Sequence, residues 1–378
     1  MKRKALLICA AALGLSAPGC GDEGGEPSGP AGTGAGASSG DAGQGGAGAG
    51  SGGAEPGAGG GGAGAAAWQV VLDQGDLDGV VLSAWGSGPG DVYAVGGPLG
   101  NSGVESLVVH FDGESFRRLT PGGAETYWWV GGSGADDVWM VGEEGRITRW
   151  DGAMFTEHAS GTSATLFGVW AAAPDRAWAV GGTPGHGPGE DDVVLRWDGA
   201  SWAPEALPGA PLGRALFKVW GASEDDLYVV GEAGVMWRRQ GGAWALLPAL
   251  TDKTLFTVAG CSASEVYAVG GQSVLRSNGQ GFVKEEITPS NAVNGVACGP
   301  AGSALLVGVA GMKQRLVGGQ WLDDFVAMPW DDLHGAWADG QGAFWAVGGD
   351  FYTQPGAGPR RGVVARFGSG TLAGESSP

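Results

Sequence analysis

The sequence predicts an all-β fold, a closed ring of seven small sheets, and three observations carry the prediction. First, one short strand recurs: GPGDVYAVGG at 88, GADDVWMVGE at 134, APDRAWAVGG at 173, SEDDLYVVGE at 223 and SASEVYAVGG at 262, with weaker copies GSALLVGVAG at 302 and QGAFWAVGGD at 341. Second, the glycine closing each copy stands at Gly96, Gly142, Gly181, Gly231, Gly270, Gly308 and Gly348, which is 252 residues over six intervals, a mean of 42. Third, no segment carries a 3.6-residue apolar period long enough for a helix. A period in the low forties with several short strands per unit is the mark of a β-propeller blade. An open stack of blades leaves two sheet faces bare, whereas a ring covers them all.

The first element in chain order is a targeting segment, residues 1–19. Lys2, Arg3 and Lys4 form a positive region and Ala5 to Leu15 an apolar one, too short to span a bilayer. The sequence LSAPGC then leads to Cys20. It resembles the lipobox of bacterial lipoproteins, in which the cysteine after the cut carries lipid, although Pro18 stands where a small residue is usual. Cleavage after Ala17 without lipidation is the alternative. The expectation is an exported chain lipidated at Cys20, at the outer membrane or cell surface.

Residues 20–66 form the second element. From Gly21 to Ala66 the chain is nearly half glycine, the rest mostly Ala, Ser and Pro. Nothing here can bury apolar surface, so a disordered tether is expected, with a reach of roughly 35–40 Å. Residues 36–40 fit G-x-S-x-G, but no strand precedes them and no helix follows, so the nucleophile-elbow pattern carries no meaning. The formal charge is −19. Loss of Lys2, Arg3 and Lys4 with the leader makes it more negative, which excludes nucleic acid and anionic headgroups as partners. A monomer that meets the membrane only through its anchor is expected.

Residues 67–370 form the propeller and 371–378 a flexible tail. Copy three shows the blade grammar: strand A over Leu166–Ala171, B over Ala177–Gly181, C over Val193–Trp197 and D from Trp202. The turns from C to D contain Asp112-Gly113, Asp151-Gly152, Asp198-Gly199 and Asn278-Gly279, residues that tolerate the φ > 0 of tight hairpins. The aspartates are therefore read as turn formers rather than metal ligands. Both faces of inner strands are buried between neighbouring blades, so the strands are continuously apolar. Trp85, Trp170, Trp220 and Trp337 of strand A, and Trp150, Trp197 and Trp237 of strand C, are expected to pack between blades. The seventh copy lacks a D strand, while AWQVVLDQG at 67 precedes the first A strand. The N-terminal strand is therefore expected to complete the last blade.

The consensus GVWGSGPDDVWAVG…WDGxxW resembles the β-propeller repeats of bacterial surface lipoproteins over residues 67 to about 370. The strand order is also similar to that of WD-repeat propellers, without their His and Asp tetrad, and the Trp and Gly spacing is similar to tectonin-type lectin propellers. The resemblance implies a fold and a surface address; it carries over no catalytic residue.

Chemistry is sparse. His110 and His334 fall in strands, the latter at a channel-facing position, and no H-E-x-x-H or Cys/His zinc pattern occurs. Glu143/Glu144 and Asp323/Asp324 would serve as glycosidase carboxylates only if folding assembled them. No catalytic residue, no metal ligand and no cofactor is assigned. Cys261 and Cys298 occupy nearly equivalent places at the end of strand A in adjacent copies and are expected to form a disulfide; two free thiols are the alternative.

Three copies carry long insertions between strands B and C, all on one face. They hold the candidate ligand-binding residues Asn101, Glu105, His186, Glu190, Asp191, Asp192, Phe351, Tyr352, Gln354, Arg360 and Arg361. Phe351 and Tyr352 are expected to be exposed beside the two arginines as a partner anchor. Glu190, Asp191 and Asp192 offer oxygen ligands for calcium, against the plainer reading of a solvated acidic tip. The expected function is a surface-tethered binding module for an extracellular protein, peptide or glycan; the alternative is a polysaccharide hydrolase or lyase built on a propeller.

Overall fold

The computed structural model describes residues 65–73, 77–100, 104–185, 192–209, 212–326, 332–351, 360–370 and 372. The leader, Cys20 and the linker as far as Gly64 lie outside these residues, as do 371 and 373–378 of the tail. The described residues form seven four-stranded antiparallel sheets. The innermost A strands are Val80–Gly88, Tyr127–Gly134, Thr165–Ala173, Leu216–Ser223, Thr257–Ser262, Val293–Cys298 and Asp332–Ala338. Each packs against the A strand of the next blade, and the seventh packs against the first. The ring is closed.

Blade 7 has strands A, B (Phe344–Gly349) and C (Gly362–Gly368), and its fourth strand is the N-terminal Ala67–Leu72. Ala67 pairs with Gly368 and Leu72 with Val364. Trp68 packs on Phe367 with ring centroids 5.6 Å apart, and its indole N–H donates to Asp324 of blade 6 at 3.0 Å. The expected closure is therefore what the chain adopts.

The recurrent glycine has a steric cause that the repeat alone does not reveal. A β-carbon at Gly96 would collide with the carbonyl oxygen of Val80, and one at Gly142 with that of Thr126. The other five glycines meet the carbonyls of Thr165, Ala215, Thr254, Ala292 and Asp332 in the same way. Strand B ends against the start of strand A so closely that no side chain fits between them. The C–D turns are also as expected. The Asp112 carboxylate accepts the N–H groups of Glu114 and Ser115, and Asp151 and Asp198 repeat the pattern. These bonds hold the three carboxyls below the usual range, the bond from the residue three positions on counting most.

Candidate binding site at the mouth of the central channel

In six blades the pairing of A with B slips by one residue near the start of strand A. The extra residues are Leu82, Trp128, Phe167, Phe217, Asn294 and His334. A bulge re-aims the side chain it releases from the ladder. Here the released side chains gather on the ring axis. Trp128, Phe167 and Phe217 meet in sequence, edge to face or tilted, and Phe256 of blade 5 continues the arc, with centroids 5.0–5.6 Å apart. Leu99 and Phe351, from the B–C connections of blades 1 and 7, join them in one buried cluster. An apolar plug thus closes the channel at the end where the B–C loops emerge.

The next layer is polar and ties blades together. Thr257 donates to the Asn294 carbonyl at 2.8 Å, the Asn294 amide to the Leu333 carbonyl at 3.0 Å, and His334 Nδ1–H to the Leu82 carbonyl at 2.7 Å. Lys218 Nζ donates to the Phe167 carbonyl at 2.6 Å and lies 4.0 Å from the centroid of Trp129, which reaches over from blade 2. Removal from water disfavours the charged forms of both bases. It pushes Lys218 down to about 7 and His334, further repelled by Lys218, down to about 3.

Beyond Trp129 the channel opens at the other end. The cavity there holds about 250 Å³ and is lined by Trp85, Trp129, Trp170, Trp220 and Trp337, with Gly131, Thr257, Ala259, Ala297 and Cys298 among the smaller residues. All five indoles are half-buried. Trp85, Trp170, Trp220 and Trp337 each lean on a residue of the following blade. The Trp85 ring tip would be 2.8 Å from a β-carbon at Gly132, and Trp337 stands 2.9 Å from one at Gly86. Trp170 and Trp220 lean in the same way on Gly221 and Gly260. The expected packing between blades is present, and the same rings also face open space. No charged side chain lines this cavity among the described residues.

Cys261 and Cys298 stand at the rim, on blades 5 and 6. Their Cα atoms are 4.8 Å apart and the sulfurs face each other at bonding separation.

The residues expected to bind a ligand lie elsewhere. Asn101, His186, Glu190, Asp191, Tyr352 and Gln354 fall outside the described residues. Glu105 and Arg361 are exposed on the plugged face. The exposure expected of Phe351 and Arg360 needs correction. Phe351 is 6% exposed and packs into the plug, while Arg360 is fully buried and donates to the Phe351 carbonyl. Phe351 and Arg360, at the two described ends of the blade 7 insertion, turn inward because Phe351 buries its ring among the apolar side chains of the plug. Asp192 accepts the backbone N–H groups of Leu212 and Gly213 at 2.7 and 2.9 Å, which ties the start of strand C to the residues leading into blade 4. No group of three or more metal-ligating side chains occurs among the described residues.

The carboxylate pairs serve structure. Glu143 accepts the Thr126 N–H, and burial raises its carboxyl pKa. Asp324 is paired to Arg315 and Trp68. A larger, shallower cleft of 510 Å³ surrounds Arg146 on the plugged face. Its guanidinium is already satisfied by Glu125, Glu157, Ser106 and the Gly122 carbonyl. Trp129 and Lys218 escaped the sequence reading, though LFKVW against LFGVW in the preceding copy was a usable signal.

No family model matches the sequence, and no curated protein does. Solved structures share the fold. YCF48 bound to D1 peptide has a TM-score of 0.59 and 15% identity, covering 79% of this chain and 96% of that one. YCF48 from Cyanidioschyzon merolae has 0.58 and 15%, covering 80% and 98%. The WD40 β-propeller domain of Doa1 has 0.60 and 10%, covering 82% and 100%. This protein is a seven-bladed β-propeller.

Proposed function

We propose that this propeller is an exported binding module, lipid-anchored at Cys20, whose ligand is a peptide segment of another protein held in the tryptophan-lined mouth. One observation carries the reading: five half-exposed indoles converge on an open cavity in a channel sealed at its other end. Indoles left partly in water supply large apolar area at low entropic cost, which is why they dominate binding hot spots. A volume near 250 Å³ is below the usual range for whole small-molecule sites. It suits one or two anchoring side chains of a longer chain. The similar YCF48 structure, which holds a D1 peptide, supports a propeller of this build taking a peptide. The leader and the lipobox-like LSAPGC support the surface address.

The test is a displayed random-peptide library selected on the purified domain, then counter-selected on a Trp170→Ala/Trp220→Ala variant checked for its circular dichroism. Clones that bind the parent and not the variant support the reading. Clones indifferent to the two tryptophans, or an empty selection beside a positive glycan array, refute it.

A further inference from the structure

The seven residues that ring the mouth are not equivalent. In blade order they are Trp85, Gly131, Trp170, Trp220, Ala259, Ala297 and Trp337. In a seven-membered ring, blade 2 stands opposite the junction of blades 5 and 6. The small residues therefore mark the two ends of a slot across the mouth. Its walls are Trp85 with Trp337 on one side and Trp170 with Trp220 on the other, and Trp129 forms the floor. Gly131 cannot be enlarged, since a β-carbon there would stand 2.8 Å from the Val169 carbonyl oxygen of blade 3. That end of the slot is kept open by the packing of the blades themselves.

The charge around the slot is predominantly negative. The A–B turns next to the mouth carry exposed Asp136, Asp175 and Asp225, and the C–D turns further out on the same face carry exposed Asp112, Asp151 and Asp198. Arg176 is the single base in these turns among the described residues; it is paired to Glu224 at 3.2 Å and to Asp175 at 3.6 Å. Arg239 of strand C in blade 4 reaches Asp225 at 3.7 Å, so acids still outnumber bases around the mouth. These acids stand on blades 1 to 4 and Asp339 stands in the A–B turn of blade 7, while the corresponding turns of blades 5 and 6, Ala263-Ser264, Asn278-Gly279 and Gly318-Gly319, are uncharged. Indole walls inside an acidic collar select a cation twice over, through the ring faces at short range and the collar at long range.

We infer that the slot takes an extended, basic peptide segment, its backbone running from Gly131 toward Ala259 and Ala297 and an arginine or lysine side chain anchored between the tryptophan walls. The inference rests on the reading of the mouth as a peptide site and adds the chemistry and direction of the occupant.

The test uses three capped nine-residue peptides, alternating glycine with arginine, glutamine or glutamate, titrated onto the mature protein by calorimetry and tryptophan fluorescence. The arginine peptide is expected to bind about tenfold or more tighter than the glutamine peptide at low salt, and the gap should narrow as salt screens the collar. Asp136→Asn/Asp175→Asn/Asp225→Asn removes three exposed charges, so it keeps the test open even if a tryptophan variant fails to fold. It should lose most of the arginine preference at unchanged melting temperature. Equal binding of the three peptides, each weakened by Trp170→Ala/Trp220→Ala, overturns the basic ligand and leaves the mouth as a peptide site. No binding of the arginine peptide overturns the inference, and binding that ignores both variants overturns the inference and the mouth together.

Discussion

The ammonium nitrogen of Lys218 lies 4.0 Å from the ring centroid of Trp129 and donates to the Phe167 carbonyl. These contacts do not replace the hydration it loses, and burial lowers its pKa from 10.5 to about 7. Between those values the unfolded chain binds the proton that the folded chain rejects. Stability therefore rises with pH across this window, by at most about 1.4 kcal/mol per unit from this one group. Lys218→Met should stabilise the protein at pH 7, by a few kcal/mol at most. Its advantage over the parent should shrink toward pH 9.5. Urea unfolding of both proteins at pH 7, 8 and 9.5 measures it, and a constant difference would show that Lys218 is not the source.

His334 acts with the same sign at lower pH. Its pKa falls from 6.5 to about 3 through burial and the neighbouring Lys218. The stability linked to its neutral form is complete above pH 6.5 and is lost as pH falls toward 3. His334→Asn should flatten part of the acid limb of the stability curve between pH 6.5 and 4, measured by the same titration.

A β-carbon at Gly132 would stand 2.3 Å from the Asp137 carbonyl oxygen and 2.8 Å from the ring tip of Trp85. Gly132→Ala should cost about 1–3 kcal/mol by overpacking. Gly88→Ala, with nothing within 4 Å of the new carbon, is the matched control and should melt close to the parent. Comparable melting of the two variants would remove the wedge from the account of blade packing.

Closure is tested by where the chain is made to begin. A protein starting at Ala67 keeps the strand Ala67–Leu72, with Trp68 on Phe367 and bonded to Asp324. One starting at Asp73 lacks it and exposes the edge of Gly362–Gly368. Unpaired edges invite association. The shorter protein should aggregate or melt several degrees lower in calorimetry, while the longer one should match the full chain.

The thiols at the rim of the mouth provide a chemical check. With Cα atoms 4.8 Å apart across 37 residues, a bond between Cys261 and Cys298 would stabilise by about 3–4 kcal/mol in the chain-entropy view. A thiol assay on the denatured, unreduced protein starting at Ala67 is expected to find none free. Reduction should lower its melting temperature, and Cys261→Ser/Cys298→Ser should melt like the reduced protein.

Much of the ring was legible because propeller repeats are written locally. Asp112, Asp151 and Asp198 shape their turns through bonds to residues two and three positions on. The Val-Gly of each strand B is needed wherever that strand meets its own strand A, so it recurs in every copy. A missing D strand at one end and an orphan at the other revealed the closure for the same reason.

The candidate site was not legible from the same signals. Residue-type reasoning placed binding in the longest and least repetitive loops, yet Phe351 and Arg360 turn inward to cap the channel. Trp85, Trp170, Trp220 and Trp337 read as packing, and the same rings also line the open end of the channel.

The sequence by itself determined the number of blades, the strand order, the closure and the acidic surface, because each follows from patterns within one repeat or from a count of repeats. Only the tertiary structure decided which end of the channel is open. That depends on bulged residues from six blades meeting on one axis, and on Gly131 facing Ala259 and Ala297 across the ring. These positions are far apart in the chain, and no local pattern records that they share an axis.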